Sequence, residues 1–307
     1  MRNTHIAILM ATYNGAAHLS EQLASIAAQS HRNWSLWISD DGSSDATAQI
    51  IEDFAADHTA HQITRLDGPR QGPTRNFLSL VHRPDIPRGP IAFADQDDVW
   101  LPDRLERGLR AIGADTAQPA LYGSRTVIVD DDLKQMGYSP LFTRPPGFAN
   151  AIVQSIAGGN TMLMNAAAHE LLRQAHHELN VVTHDWWAYQ LISAAGGRVI
   201  YDPAPTILYR QHDNNIIGSN TGLMAQVKRL YAVLNNRFRD WNSRNLAALE
   251  ACSDMLTAEN RALVASFQNL RAETGARALR HLERSGIYRQ TAHGDRSLKI
   301  AAYLGKL

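Results

Sequence analysis

Ala92-Phe93-Ala94-Asp95-Gln96-Asp97-Asp98-Val99-Trp100 is a short apolar run that ends in three carboxylates within four residues. A buried strand followed by a carboxylate-rich loop is where a parallel-sheet enzyme holds a divalent cation against a phosphorylated ligand. Carboxylates this close repel one another unless a cation or hydrogen-bond donors neutralise them. A solvated acidic loop is the competing interpretation of such a motif when it stands alone, so its neighbours in the chain matter.

The first hundred residues alternate between apolar runs and helical patterns. Apolar runs at 6–10, 36–38, 63–66 and 90–94 predict four strands. Helical spacing of apolar residues predicts helices between them, one of which we expect to be capped by Ser43 or Ser44 with Asp45 in its first turn. This alternation predicts an α/β protein with a mainly parallel nucleotide-binding sheet flanked by helices.

Polar clusters follow three of the predicted strands, at residues 11–14, 40–45 and 95–98. The carboxyl ends of parallel strands lie along one edge of a sheet, so we expect the three clusters to meet there, where ligands bind. No Walker sequence and no Gly-x-Gly-x-x-Gly follows the first strand, which excludes the P-loop and dinucleotide folds. The phosphate contact must then rely on a metal or on arginines.

The second half of the chain is more irregular. A proline-rich loop near 140–147 precedes a loop and strand at 158–164, helices at 166–179 and 184–193, and strands at 199–201 and 207–209. From about residue 222 the sequence is rich in alanine, leucine and arginine and predicts helices. We therefore expect a catalytic domain at 1–221, with a nucleotide-binding half at about 1–100 and an acceptor half at about 101–221, followed by a helical region at 222–307.

Composition narrows the class of partner. The chain has 307 residues and a formal net charge of +0, which gives no reason to expect nucleic acid as a partner. One cysteine, Cys252, excludes an intrachain disulfide and cysteine-based zinc sites. No apolar run reaches the ~18 residues of a membrane span, so we expect a cytoplasmic protein. The basic C-terminal tail could lie on the inner membrane as a peripheral contact, and a solvated helical tail is the alternative.

Three motifs together carry a family resemblance. Residues 11–15 (Ala-Thr-Tyr-Asn-Gly), 39–45 (Ser-Asp-Asp-Gly-Ser-Ser-Asp) and 95–100 (Asp-Gln-Asp-Asp-Val-Trp) resemble family 2 glycosyltransferases of the GT-A fold. With His-Asp-Trp-Trp at 184–187 and Tyr-Arg-Gln-His at 209–212, the sequence is similar to the bacterial rhamnosyltransferase-like branch. The resemblance covers about residues 5–215. It implies a nucleotide-diphospho-sugar donor, TDP-rhamnose first and a UDP-hexose second, and a divalent cation, Mn²⁺ or Mg²⁺.

The resemblance also implies roles for individual residues. Asp97 would be the direct metal ligand, and Asp95 would contact ribose or a metal-bound water. Asp41, with Asp40 as the alternative, would accept a hydrogen bond from the base, and Asp185 would be the catalytic base that takes the proton of the acceptor hydroxyl. The further nucleotide contacts would be Thr12, Tyr13, Asn14 and Arg75, the late metal ligand His212, and the sugar contacts Gly159, Asn160, Trp186, Trp187 and Arg210.

Several of these roles have structural alternatives. Asp185 could merely cap the helix that it opens, Arg75 could be a surface arginine, and His212 could be structural. Because adjacent helical residues point in different directions, one of Trp186 and Trp187 is expected to pack in the core while the other stacks on a sugar. His184 stands where the family usually has glutamate, which leaves its role open.

The predicted function is inverting transfer of a sugar to a hydroxyl of a bacterial surface polysaccharide or of a lipid-linked acceptor. A catalytically inactive sugar-nucleotide-binding or scaffold protein of the same fold is the alternative. An aspartate-nucleophile phosphatase would need a carboxylate at Ser39, and a nucleotidyltransferase would need a glycine-rich basic stretch after the first strand. Neither pattern is present.

Overall fold

A computed structural model describes residues 3–113, 117–211 and 237–307. The strands are β1 (Ile6–Thr12), β2 (Trp34–Asp40), β3 (Ile63–Asp67), β4 (Ile91–Ala94), β5 (Val99–Trp100), β6 (Ala120–Ser124), β7 (Val127–Val129), β8 (Gln135–Tyr138), β9 (Leu163–Met164), β10 (Arg198–Asp202) and β11 (Ile207–Arg210). The helices are α1 (Leu19–Ala27), α2 (Thr47–Asp57), α3 (Pro73–Val81), α4 (Arg104–Ile112), α5 (Phe148–Ala151), α6 (Ala166–Gln174), α7 (His184–Ala194), α8 (Arg237–Ala251), α9 (Ala258–Arg271), α10 (Gly275–Ser285) and α11 (Ala292–Tyr303).

The central strand β1 shows why the fold has helices on both faces of a sheet. Ile6, Ile8 and Met10 belong to one apolar cluster, together with residues of α1 and α4. Ala7 and Leu9, between them, belong to a second cluster on the opposite face. Successive side chains of a strand point to opposite faces, so a wholly apolar strand is stable only when both faces are covered. The predicted α/β architecture is confirmed.

The main sheet has seven strands in the order β10-β6-β9-β4-β1-β2-β3. β1 pairs in parallel with β2 on one side and with β4 on the other, and Thr12 lies opposite Asp40 in the register. The short strand β9 is antiparallel to both β4 and β6. The carboxyl ends of β1, β2 and β4 therefore meet at one edge, as the sequence predicts. A second sheet, of order β5-β11-β7-β8, places the end of β11 beside the acidic loop that follows β4.

Helix α2 begins later than predicted, at Thr47, and its N-cap is Ala46. The expected capping by Ser43 or Ser44 is wrong because both serines bind the loop after β1 instead. Asp45 precedes the helix and accepts hydrogen bonds from the backbone N–H and the hydroxyl of Thr47. Helix α6 ends at Gln174, five residues before the predicted end.

The C-terminal helices pack on the catalytic core. Leu246 and Leu249 of α8 share the apolar cluster that contains Trp187 and Leu191 of α7. The predicted domain boundary at 221/222 lies outside the described residues. Within those residues, no helix has both the length and the apolar character needed to cross a membrane.

Candidate active site

Hydrogen bonds join the loops after β1 and β2. The backbone N–H of Asp41 donates to the carbonyl of Thr12 over 2.8 Å, and the Thr12 hydroxyl donates to Asp40 Oδ1 over 3.4 Å. Asn14 adopts a left-handed conformation, with φ of 48°. That turn lets its backbone N–H donate to Ser43 Oγ and its side-chain carbonyl accept the N–H of Ser44, each over 2.8 Å. The serines that do not cap α2 therefore build this junction.

Gln96 ties the acidic loop to the loop after β1. Its side-chain amide accepts the N–H of Tyr13 over 2.8 Å and donates to the Tyr13 carbonyl over 3.2 Å. A Cβ at Gly15 would lie 2.4 Å from Gln96 Oε1, so only glycine permits this approach. The Tyr13 side chain itself is 59% exposed to solvent at this edge of the sheet.

Asp40 and Asp41 differ in what their carboxylates already bind. Asp41 accepts the backbone N–H groups of Arg70 and Gly72, over 2.6 and 2.8 Å, one on each oxygen. Asp40 uses Oδ1 for Thr12 and Ser43. Among the described residues no hydrogen bond is made to Asp40 Oδ2. Asp41 thus closes the loop that follows β3, and Asp40 keeps one acceptor oxygen for a ligand.

The structure gathers three carboxylates at this edge. Burial, together with the charges of Asp97 and Asp185, raises the pKa of Asp95 to about 8. An effect of this kind requires the three groups to lie close together. The backbone carbonyl of Asp95 accepts a hydrogen bond from the side-chain amide of Gln22 over 2.8 Å, which fixes the start of the loop.

Asp98 turns inward, away from this cluster. It is fully buried, and it accepts hydrogen bonds from Asn160 Nδ2 over 2.6 Å and from the backbone N–H of Arg210 over 3.4 Å. Burial and the neighbouring charges of Asp95 and Asp97 raise its pKa well above the usual range. Asp98 therefore anchors the loop from beneath, and Asn160 is its partner.

Asp185 lies in the first turn of α7 and faces the loop before β9. Its Oδ2 accepts the N–H of Gly159 over 3.2 Å, and its Oδ1 accepts the N–H of Trp186 over 2.7 Å. The preceding residue, His184, stacks on Phe77 with ring centroids 3.9 Å apart. Burial lowers the pKa of His184 to about 4, so the ring is neutral beside Asp185 at physiological pH.

Comparison with known proteins identifies the family of this chain. Residues 7–172 match the family model of glycosyl transferase family 2. The chain belongs to glycosyl transferase family 2. It is 31% identical over 243 residues to a dTDP-rhamnosyl transferase of Shigella flexneri, RfbG, covering 75% of this chain and 81% of that protein. It is also 30% identical over 101 residues to an Escherichia coli UDP-Glc:alpha-D-GlcNAc-diphosphoundecaprenol beta-1,3-glucosyltransferase, WfgD, covering 33% of this chain and 38% of that protein.

Solved structures share the fold of this glycosyltransferase. A mannosyltransferase from Pyrobaculum calidifontis, in complex with GDP-Man and Mn²⁺, has a TM-score of 0.52 at 16% identity and covers 98% of this chain and 86% of that one. A shortened S. aureus TarS in complex with UDP has a TM-score of 0.54 at 14% identity and covers 97% and 88%. These likenesses show that the glycosyltransferase has the GT-A fold.

Arg210 is buried in the glycosyltransferase, and its contacts do not support the predicted sugar contact. The side chain is 1% exposed. Its guanidinium donates to the backbone carbonyls of Asp97 and Asp131 and forms an ion pair with Glu21. It holds the acidic loop against α1 and the second sheet, because β11 pairs with β5 directly after that loop.

Both tryptophans of α7 are buried, which contradicts the expectation that one stacks on a sugar. Trp187 is 2% exposed in the main core. Trp186 is 6% exposed, donates from Nε1 to the carbonyl of Ala151 over 2.7 Å, and packs edge to face against Trp241. Trp186 is covered because Ala151 of α5 and Trp241 of α8 lie against it, and sequence spacing alone does not reveal these contacts.

Arg75 lies on α3 and bonds outside the acidic cluster. Its guanidinium donates to the backbone carbonyls of His177 and Glu178, over 3.2 and 3.1 Å. These two hydrogen bonds attach Arg75 to the loop before α7. Its predicted contact with the nucleotide stays a prediction. His212 lies outside the described residues.

Two arginines of the glycosyltransferase site were not predicted. Arg104 lies beneath the acidic loop, 1% exposed, where Nη2 donates to the carbonyls of Asn160 and Phe93 over 2.6 and 3.0 Å. Its guanidinium stacks on Trp100 at 3.6 Å.

Arg70 is the second of these arginines. It is exposed and has a φ of 57°. A Cβ added at Gly42 would lie 3.0 Å from the Arg70 side chain, so the two residues are close together. The Arg70 side chain therefore places a positive charge next to the loop that follows Asp40.

Proposed function

We propose that this glycosyltransferase moves a sugar from a nucleotide-diphospho-sugar to a hydroxyl of a bacterial surface glycan or a lipid-linked acceptor, with inversion at the anomeric carbon. The observation that carries the proposal is the meeting of Asp95, Asp97 and Asp185 at the carboxyl edge of β1, β2 and β4. Two carboxylates on one loop and a third on a separate helix give one site for the diphosphate and another for proton removal.

The nucleotide would lie over the joined loops after β1 and β2. Asp40 Oδ2 can accept the imide N–H of uracil or thymine, while Thr12 and Asn14 hold the pocket wall through their bonds to Asp40 and Ser43. The exposed ring of Tyr13 can stack on the base. Arg70 offers a positive charge on the same side, where the ribose diphosphate would run.

The donor set at the acidic loop fits a divalent cation. Asp95 and Asp97 offer carboxylate oxygens that remain partly exposed. Burial first and the charge of Asp97 second raise the pKa of Asp95, and a bound cation would relieve the repulsion between the two carboxylates. Within the described ranges no three acidic, histidine or cysteine side chains are arranged to hold a metal by themselves. Mg²⁺ and Mn²⁺ often bind one or two carboxylates and complete their shell with waters and phosphates. A bound cation would neutralise the charge of the departing diphosphate.

Asp185 is suited to act as the base. Inverting transfer needs a carboxylate that removes the proton of the attacking hydroxyl while that oxygen approaches the anomeric carbon from the face opposite the leaving group. The N–H groups of Gly159 and Trp186 hold the Asp185 carboxylate in place. The neutral ring of His184 adds no competing charge beside it.

Rhamnose is the proposed sugar, and TDP its carrier. The support is the similarity to the dTDP-rhamnosyl transferase of Shigella flexneri, which spans 75% of this chain, whereas the match to the UDP-glucose-dependent enzyme spans 33%. A UDP-hexose is the second choice.

Calorimetric titration with TDP and UDP, each with Mn²⁺ and with EDTA, tests the proposal. We expect metal-dependent binding of TDP in the micromolar range, weaker binding of UDP, and loss of the metal dependence in Asp97→Ala. Asp103→Ala is the matched control, because Asp103 is exposed at the N-cap of α4 and makes no capping hydrogen bond. Unchanged Mn²⁺-dependent binding in Asp97→Ala would refute the ligand assignment. No binding of either nucleotide by the folded protein would point to a scaffold role.

A further inference from the structure

The last two helices carry a concentrated positive charge. Residues 275–307 contain seven Lys and Arg and two acids, whereas the rest of the chain contains 23 Lys and Arg against 28 Asp and Glu. One of the two acids, Asp295, is paired with Arg144 over 2.7 Å. A neutral protein thus has one strongly basic end.

The same helices expose apolar side chains. Ile300, Tyr303 and Leu304 are 48%, 53% and 47% exposed, and they are three of the seven large apolar side chains exposed in the described part of the chain. Lys299 and Arg296 are exposed, each four residues before Tyr303 and Ile300 respectively, so helical spacing places all five side chains on one side of α11. Leu279 and Glu283 of α10 line a shallow groove beside them. We call these seven side chains the α10–α11 face.

We propose that the α10–α11 face docks the enzyme on an anionic lipid bilayer. Aliphatic and tyrosine side chains surrounded by Lys and Arg match the interfacial layer of a membrane, in which apolar groups enter the acyl boundary and cations meet the lipid phosphates. The excess of seven Lys and Arg over two acids in residues 275–307 favours anionic lipid over another copy of this chain, because two such basic ends would repel each other.

Hydrogen bonds connect the segment that begins α11 to the helix that carries the candidate base. Arg144 bonds to Asp295 and Gln290, and Gln290 donates to the side chain of Gln154 over 2.8 Å. Between Arg144 and Gln154 lies α5, which accepts the indole N–H of Trp186 at Ala151. A docked enzyme would therefore hold its acceptor side at a fixed orientation to the bilayer. The proposal goes beyond the transfer reaction, and its test needs neither donor nor acceptor.

Co-sedimentation of the full-length protein with vesicles tests this docking. The vesicles are phosphatidylcholine alone or phosphatidylcholine with about one third phosphatidylglycerol. We expect binding to the anionic vesicles only, weakened by raising the salt from 0.1 to 0.5 M, because exposed charges are screened over a shorter distance at high salt. Binding should fall at least tenfold in Ile300→Ser/Tyr303→Ser/Leu304→Ser. It should fall about 25-fold or more in Arg296→Glu/Lys299→Glu, since each basic residue near an anionic surface contributes about fivefold.

The matched control is Met136→Ser/Tyr138→Ser/Leu141→Ser, which removes three equally exposed apolar side chains from the region of β8. It should bind anionic vesicles within twofold of the wild type. The proposal is overturned if the wild type does not bind anionic vesicles, if the control loses as much binding as the α11 variants, or if the α11 variants bind normally. Concentration-dependent dimerisation that the serine variant abolishes would assign the face to a second copy instead.

Discussion

Arg104→Met removes a buried guanidinium beneath the acidic loop. In the described structure this guanidinium is the only charged group that donates hydrogen bonds to the backbone carbonyls of Asn160 and Phe93. Hydrogen bonds from a charged donor stabilise a protein by about 1.5–3 kcal/mol each. The methionine fills much of the volume but leaves the Asn160 carbonyl without its 2.6 Å partner. Because two such hydrogen bonds are lost, we expect the free energy of unfolding to fall by about 3–6 kcal/mol.

Urea unfolding, followed by tryptophan fluorescence, measures this loss. Arg110→Met on the same helix is the control. Arg110 is largely exposed and, among the described residues, forms an ion pair with Glu106 one turn away, so its removal should cost no more than about 0.5 kcal/mol. Arg104→Lys should fall between the two, since a lysine keeps the charge but cannot reproduce the planar contact with Trp100. A loss below about 1 kcal/mol in Arg104→Met would show that the network is not stabilising and refute the reasoning.

Three further predictions concern ligand binding and catalysis. The pKa of Asp95 is raised to about 8 in the folded protein. Between roughly pH 4 and pH 8 the metal-free folded protein therefore holds a proton that the unfolded chain has released. For this reason the contribution of Asp95 to the free energy of unfolding falls as pH rises through this window. Mn²⁺ binding must displace that proton. The Mn²⁺ affinity measured by calorimetry should therefore rise up to about tenfold per pH unit below pH 8 and level off above it. A Mn²⁺ affinity that does not change from pH 6 to 8 would contradict this. Gly15→Ala should weaken nucleotide binding about tenfold, or ~1.4 kcal/mol, because its Cβ displaces Gln96, whereas Gly137→Ala, with open space around the new Cβ, should not. Asp185→Asn should bind donor normally in the same titration but transfer sugar at least ~10²-fold more slowly, and wild-type turnover would exclude Asp185 as the base.

The edge of the sheet could be predicted because it depends on strand periodicity and on polar residues next to strand ends. Apolar runs before residues 11–14, 40–45 and 95–98 determine that three loops meet, and the hydrogen bonds from Thr12 and Gln96 show that they do. Which oxygen each loop uses was not predictable. The backbone N–H groups that occupy Asp41 come from residues 70 and 72, and their position depends on how the loop after β3 folds back.

The buried arginines show what sequence patterns conceal. Arg104 shares the buried side of α4 with Leu105, Gly108 and Ile112, so helical spacing does place it facing the core, although an arginine there is easily interpreted as surface charge. Arg210 is the last residue of the short strand β11 and belongs to the Tyr-Arg-Gln-His motif at 209–212, and this position suggested a ligand contact. Its actual partners, Glu21 and Asp131, are 189 and 79 residues away in sequence, and only the tertiary fold brings them together.

Gly159 and His184 constrain each other's substitution. A Cβ at position 159 would lie 2.5 Å from His184 Nε2 and 3.3 Å from the Cβ of Asp185. The imidazole stacks on Phe77 and lies edge-on to Phe93, and these two rings restrict its withdrawal. A side chain at 159 therefore requires a smaller or differently directed residue at 184, and during divergence these two positions would have to change as a pair.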